Sequence, residues 1–235
     1  RMKAILKREL KSYFASPIGY VCIAVLLALF GLQYWYVMMI GSSYYIYIVY
    51  NSMFTFTMMV IPILTMKSLS DEQKNKTDQA LLTAPVSVTA IVLGKFVAAF
   101  IVYAIAMTGS LLPCVAISLF GSPSWGEVFG YYLGSLFYGA AMISIGVFIS
   151  SLTVSQVISA IATFAVSIFI LMMGQISSMA SGTFLAQVVN WLSFDSRYNS
   201  FTQGMFNISS AVFFLSVVAI FVFLTARRLE SKRWS

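Results

Sequence analysis

The 235 residues are 60% hydrophobic and only 9% charged, with a mean hydropathy of +0.91 and a net charge of +7. Soluble domains carry roughly a quarter charged residues, so a soluble enzyme or binding module is excluded in favour of an all-α integral membrane protein forming one domain, residues 1–235. The positive balance does not imply nucleic acid: every Lys and Arg except Arg197 falls within residues 1–11, 67–95 or 227–233, beside apolar runs, where membrane lipids with anionic head groups account for it.

The chain opens with MKAILKRELKSYF, which places Met2, Ile5, Leu6, Leu10, Tyr13 and Phe14 near one helical face and Lys3, Lys7, Arg8 and Lys11 on the other. Residues 1–17 therefore read as an amphipathic helix in the membrane interface, ended by Ser16-Pro17. The first apolar run is too long for a signal-peptide core and is expected to stay in the membrane.

About 20 apolar residues cross the hydrocarbon as helix. Six stretches qualify, at 18–39, 46–66, 96–119, 128–150, 154–176 and 210–225, and none holds a charge. The last is short, and its start is open to extension toward residues 206–208. The links at 40–45 and 120–127 and the tight turn between spans 4 and 5 lack Lys and Arg. The N-terminal tail, the 67–90 loop and the C-terminal tail hold nearly all of them. The positive-inside bias then puts both termini and the 67–90 loop in the cytosol.

Within that loop, Thr77 suits the cap of a short helix with Asp78 in its first turn. The helix would run through Gln79, Leu81 and Leu82 and stop at Pro85, and Ser87 suits the cap of the helix leading into span 3. Two turns are too short to be stable alone in water, so a partner must hold them, with Leu81 and Leu82 as anchors. Lys95, near the start of span 3, is expected to snorkel to the interface. Gly94-Lys95 lacks the upstream glycine of a phosphate loop.

Span 2 carries Asn51, Thr55, Met58 and Met59 near Pro62, and span 5 carries Ser155, Ser159, Thr163 and Ser167 at four-residue spacing. Polar stripes in lipid face either protein or a water-filled path. Span 4 carries Gly130-x-x-x-Gly134 and Ser135-x-x-x-Gly139, small residues that permit close helix approach, expected against span 5. Residues 177–209 then form an extracytoplasmic segment of short surface or re-entrant helices, rich in interfacial aromatics. With no His, with Cys22 and Cys114 inside apolar runs, and with every acid outside the spans, no catalytic set, metal site or nucleotide site is legible.

The run T-D-Q-A-L-L-T-A-P-V-S at 77–87, followed by I-V-L-G-K-F at 91–96, resembles the signature of type-2 ABC-transporter permeases, most closely the branch that includes the gliding-motility permease. The resemblance implies that the short helix of the loop is a coupling helix seated in a cleft of a cytosolic ABC ATPase subunit. Asp71, Glu72, Thr77, Asp78, Gln79, Leu81, Leu82 and Pro85 are then the candidate contacts. Many relatives carry an acid where this chain has Gln79, which removes one salt bridge of the family pattern.

The resemblance further implies a second permease subunit, identical or not, an extracytoplasmic accessory protein, and ATP with Mg on the partner rather than on this chain. It also implies a translocation path lined by spans 2 and 5, placement in the bacterial cytoplasmic membrane, and export. Two other readings remain at this level. A secondary transporter or channel is disfavoured by the absence of mid-membrane charge. A noncatalytic membrane anchor of a surface or secretion complex would use the 177–209 segment.

Overall fold

The computed structural model describes residues 2–42, 45–78, 86–179, 184–202 and 207–234, the side chains of residues 177, 178, 185, 202 and 234 excepted. In chain order the helices are α1 (Met2–Ala15), α2 (Pro17–Ile40), α3 (Ile46–Thr65), α4 (Ser70–Lys74), α5 (Val88–Gly109), α6 (Leu111–Ser118), α7 (Trp125–Leu152), α8 (Gln156–Met179), α9 (Phe184–Leu192), α10 (Phe194–Thr202) and α11 (Ile208–Trp234). No strand occurs among the described residues. Six segments are long and apolar enough to cross a membrane, and they coincide with the six expected spans.

Local chemistry explains most boundaries. Pro17 occupies the first turn of α2, where its missing N–H costs nothing. Gly41 ends α2 in the left-handed conformation (φ 74°), its N–H bonded back to the carbonyls of Val37 and Met38. Ser87 caps α5 by accepting from the Ala90 N–H at 3.4 Å, as its position in the loop implied. The third span is interrupted at Ser110: α5 stops at Gly109, the residue whose carbonyl Pro113 cannot bond, and α6 resumes at Leu111. The sixth span begins at Ile208 and runs on through the basic tail to Trp234.

Helix α7 is the axis of the bundle and touches α3, α5, α8, α10 and α11. Its small residues set those distances. A Cβ at Gly130 would stand 2.8 Å from the Phe201 carbonyl oxygen, and one at Gly134 would stand 2.9 Å from Phe201 Cβ, so the Gly-x-x-x-Gly pair seats α10. Gly139 lies against the Tyr103 ring of α5, and Tyr103 donates its hydroxyl to the Ser135 carbonyl at 2.8 Å. Gly146 lies against Thr65 of α3. The small-residue motif thus packs within the chain as expected, but its partners are α10 and α5 rather than span 5. A small residue signals close approach without naming what approaches.

Helix α1 is docked on the bundle rather than afloat beside it. Ile5 covers Gly94 of α5, where a Cβ would come within 2.8 Å of the Ile5 side chain, and Tyr13 donates to the Leu64 carbonyl at 3.0 Å. Leu6, Leu10 and Phe14 pack half-buried on the same face, while Lys3, Lys7, Arg8 and Lys11 point outward.

Candidate functional site

Two regions stand out, one at each end of the bundle. At the end that carries the basic tails, α4 forms a small platform onto which several spans converge. The backbone N–H groups of Leu69 and Ser70 both donate to the Ser150 hydroxyl, at 2.9 and 3.0 Å, at the last turn of α7. Gln73 is nearly buried. Its amide nitrogen donates to the Ser151 carbonyl at 3.0 Å, and its amide oxygen accepts from Lys232 Nζ of α11 at 2.8 Å. A helix end leaves carbonyls without intrahelical partners, and here Gln73 of α4 serves those of Ser150 and Ser151 in α7. Asp71 accepts from Gln156 at the start of α8 at 2.6 Å and faces Lys67 at 3.9 Å.

A buried charge cluster joins the platform to α1 and α5. The Lys95 side chain is 1% exposed. Its ammonium lies 3.2 Å from Glu9 Oε2 and 3.1 Å from Glu72 Oε1, and donates to the Ser68 carbonyl at 2.7 Å. Arg8 closes the cluster from outside, 2.7 Å from both Glu9 and Glu72. A buried ammonium is tolerated only when paired and hydrogen-bonded, and here it has one hydrogen bond and two ion pairs. Lys95 therefore ends on protein rather than on lipid head groups, which corrects the snorkelling expectation. Glu9 was not singled out in the sequence, although a signal exists: it sits four residues from both Ile5 and Tyr13, an acid on the apolar face of α1.

The expected loop contacts divide. Asp71 and Glu72 are committed to the internal network just described, and Glu72 leaves its second oxygen buried without a partner. The chain then turns at Lys76, which has positive φ (55°), and resumes helix at Thr77 and Asp78. The Thr77 hydroxyl donates back to the Glu72 carbonyl at 3.4 Å. Gln79, Leu81, Leu82 and Pro85 lie outside the described residues.

At the opposite end a groove of about 600 Å³ opens between α3 and α8. Asn51, Thr55 and Met59 line it from one face of α3, together with Phe54. Ile168, Leu171, Met172, Gly174 and Gln175 line it from α8, and Asp195 of α10 stands at its wall. Met58 points the other way, into the core.

The polar stripe of span 5 is elsewhere. Ser155 sits at the start of α8, where its hydroxyl accepts from the Ile158 N–H at 3.4 Å. Ser159, Thr163 and Ser167 are fully buried. Thr163 and Ser167 donate to carbonyls one turn back in their own helix, at 2.8 and 3.0 Å, and Ser167 meets Met142 of α7 at 3.9 Å. That stripe is a packing seam, and the groove uses the adjacent face of α8. Four-residue spacing identifies a shared helical face but not its neighbour.

The described residues contain no cluster of His, Cys, Asp and Glu able to hold a metal, and Cys22 and Cys114 are free and buried. What the two regions can do is mechanical and binding: a platform tied to α1, α5, α7, α8 and α11, and an amphipathic groove between two spans.

Residues 3–233 match the sequence profile of a family described as ABC-2 family transporter protein. No curated protein matches the chain.

Proposed function

The chain belongs to the ABC-2 transporter family, and from that membership we propose that it is the permease subunit of an ATP-driven exporter whose motor is a separate ATPase subunit. The observation that carries this reading is the platform. The loop leaving α4 hangs on Gln73, Ser150, Lys95 and Glu72, so a load applied at residues 79–85 is passed to the ends of α1, α5, α7, α8 and α11 at once. A motor can shift such a bundle only by as much as its contacts differ in free energy between two states, and rigid polar links at the loop root keep that difference from being lost in local bending.

In this reading the basic end faces the cytosol of a bacterial cell, ATP and Mg sit on the motor, and two permease subunits pair so that their α3–α8 grooves flank the path. Asn51, Thr55 and Met59 are then the path residues contributed by span 2. Met58, Ser159, Thr163 and Ser167 act behind them as the seam along which α3, α7 and α8 adjust. Polar groups at the outer end of the groove and apolar side chains deeper in it suit an amphipathic cargo.

Replacing Leu82 with Asp tests the docking role, because it puts a charge at an anchor meant to be buried against the motor. Loss of copurification with the ATPase subunit and loss of ATP-dependent transport are expected, with the permease still folded. Full copurification and full transport by that variant would overturn the reading.

A further inference from the structure

Among the described residues that line the groove, one carries an ionisable side chain. Of the seven acids in the chain, Asp195 alone lines it, and neither Lys nor Arg does. Among the described residues no cation lies within ion-pair distance of Asp195. Its near neighbour Arg197 is turned away: the guanidinium donates to the Trp191 carbonyl and to the Ser209 hydroxyl, at 3.1 and 3.2 Å, and stacks on Trp191 and Phe213 at 5.1 Å.

Asp195 is held in place by its neighbours. A Cβ at Gly174 would stand 3.2 Å from Asp195 Oδ2, so glycine is what lets the carboxylate lie against the α8 backbone. Asn199 donates to the same oxygen at 3.4 Å. The residue also sits in the first turn of α10, where a carboxylate is favoured by the helix dipole. That alone would place an acid here, but it would not require the acid to face a cavity lined by another helix.

The groove is graded. Because α3 and α8 run in opposite directions, Asn51, Gln175 and Asp195 share its outer end, Phe54, Thr55 and Met172 follow about a turn further in, and Met59 and Ile168 lie deepest. Asn51 to Met59 spans about 12 Å at the helical rise. Burial pushes the Asp195 carboxyl above its usual range: a half-desolvated carboxylate is costly until a cation joins it.

We propose that this groove selects an amphipathic cation, with its amine or onium head at Asp195 and its apolar body against Phe54, Met59, Ile168 and Met172. Calling that ligand a substrate rests on the permease reading; the binding itself does not. A cation restores the missing charge pair, the exposed Met59 and Met172 side chains add polarizable contact, and an anion of the same shape is repelled.

Tetraphenylphosphonium and tetraphenylborate, alike in size and opposite in charge, test this by equilibrium binding to the full chain in nanodiscs. The wild-type protein is expected to bind the phosphonium and to disfavour the borate. Asp195→Asn should weaken phosphonium binding about tenfold or more, the scale of a charge-assisted contact, and Asp195→Glu should restore much of it. Asn51→Lys, on the opposite wall and exposed, should neutralise the groove and abolish the preference without touching α10, which keeps the test valid if α10 variants fold poorly.

Equal phosphonium binding by the wild-type, D195N and N51K proteins, or a wild-type preference for the borate, would overturn the proposal. If the Leu82→Asp variant behaves as expected and the phosphonium ignores Asp195, only the cation site falls. If phosphonium binding depends on Asp195 and no ATPase associates, the permease reading falls and the cation site stands.

Discussion

The Lys95 ammonium on α5 lies 3.2 Å from the Glu9 carboxylate on α1, so the N-terminal helix is joined to the third span by a buried ion pair. Glu72 at the loop root shares the same ammonium at 3.1 Å. One cation thus holds three separate segments, and its removal leaves two carboxylates neutralised only from outside, by the half-exposed Arg8. Lys95→Met should cost about 3–5 kcal/mol, the range for breaking a buried pair, with partial exposure of both acids favouring the low end. Thermal unfolding checks the loss. Proteolysis within residues 2–15 should accelerate in parallel, and a variant that melts like the wild-type protein would refute the linkage.

Gly139→Ala and Gly31→Ala form a matched pair. At Gly139 a methyl runs into the Tyr103 ring, whereas at Gly31 it meets nothing within 4 Å. The first should destabilise by about 1–3 kcal/mol through overpacking. The second should be neutral or stabilising by up to about 1 kcal/mol, from helix propensity alone. Unfolding midpoints of the two variants decide it, and equal midpoints would contradict the close α5–α7 approach.

Gln73→Leu removes the bridge from α4 to the end of α7 and to Lys232 while keeping the side-chain volume. Carbonyls at Ser150 and Ser151 lose a donor, a cost of about 1–3 kcal/mol. On the permease reading the ATPase should still bind, since residues 79–85 are untouched, but transport per ATP hydrolysed should fall several-fold. Unaltered stoichiometry would mean that force does not travel through this bridge.

Asp195 links binding to stability. Its carboxyl is raised by burial in the folded protein, so the native state holds its proton more tightly than the unfolded chain does. Its ionisation therefore opposes folding above the raised folded value, and this penalty fades as pH falls toward the ordinary carboxylate range. Asp195→Asn should melt higher than wild type at neutral pH, with the difference shrinking as the pH is lowered. Phosphonium binding by the wild-type protein should weaken over the same interval, because protonation removes the charge that attracts it. A pH-independent difference in melting would argue against ionisation as the cause.

The architecture was largely legible in the sequence because it is dictated by local rules. Twenty uncharged apolar residues have one comfortable solution in lipid, so the spans could be read from composition. Ser87 and Pro17 mark helix starts through their own backbone chemistry. The apolar face of α1 followed from helical periodicity, and the family-like run at 77–96 followed from the order of its residues.

What the tertiary structure decided is the identity of neighbours. Periodicity says that Ser159, Thr163 and Ser167 share a face, but only packing shows that the face meets α7 while Asn51, Thr55 and Met59 open onto a groove. Lys95 reads as a residue at a lipid boundary until α1 and α4 fold over it. No spacing or capping signal in the sequence singles out Asp195, and only packing sets it against Gly174 of α8. The reason is physical: hydrophobicity and capping act within a few residues along the chain, whereas the pairing of a buried charge depends on segments distant in sequence meeting in space, which no single window of sequence records.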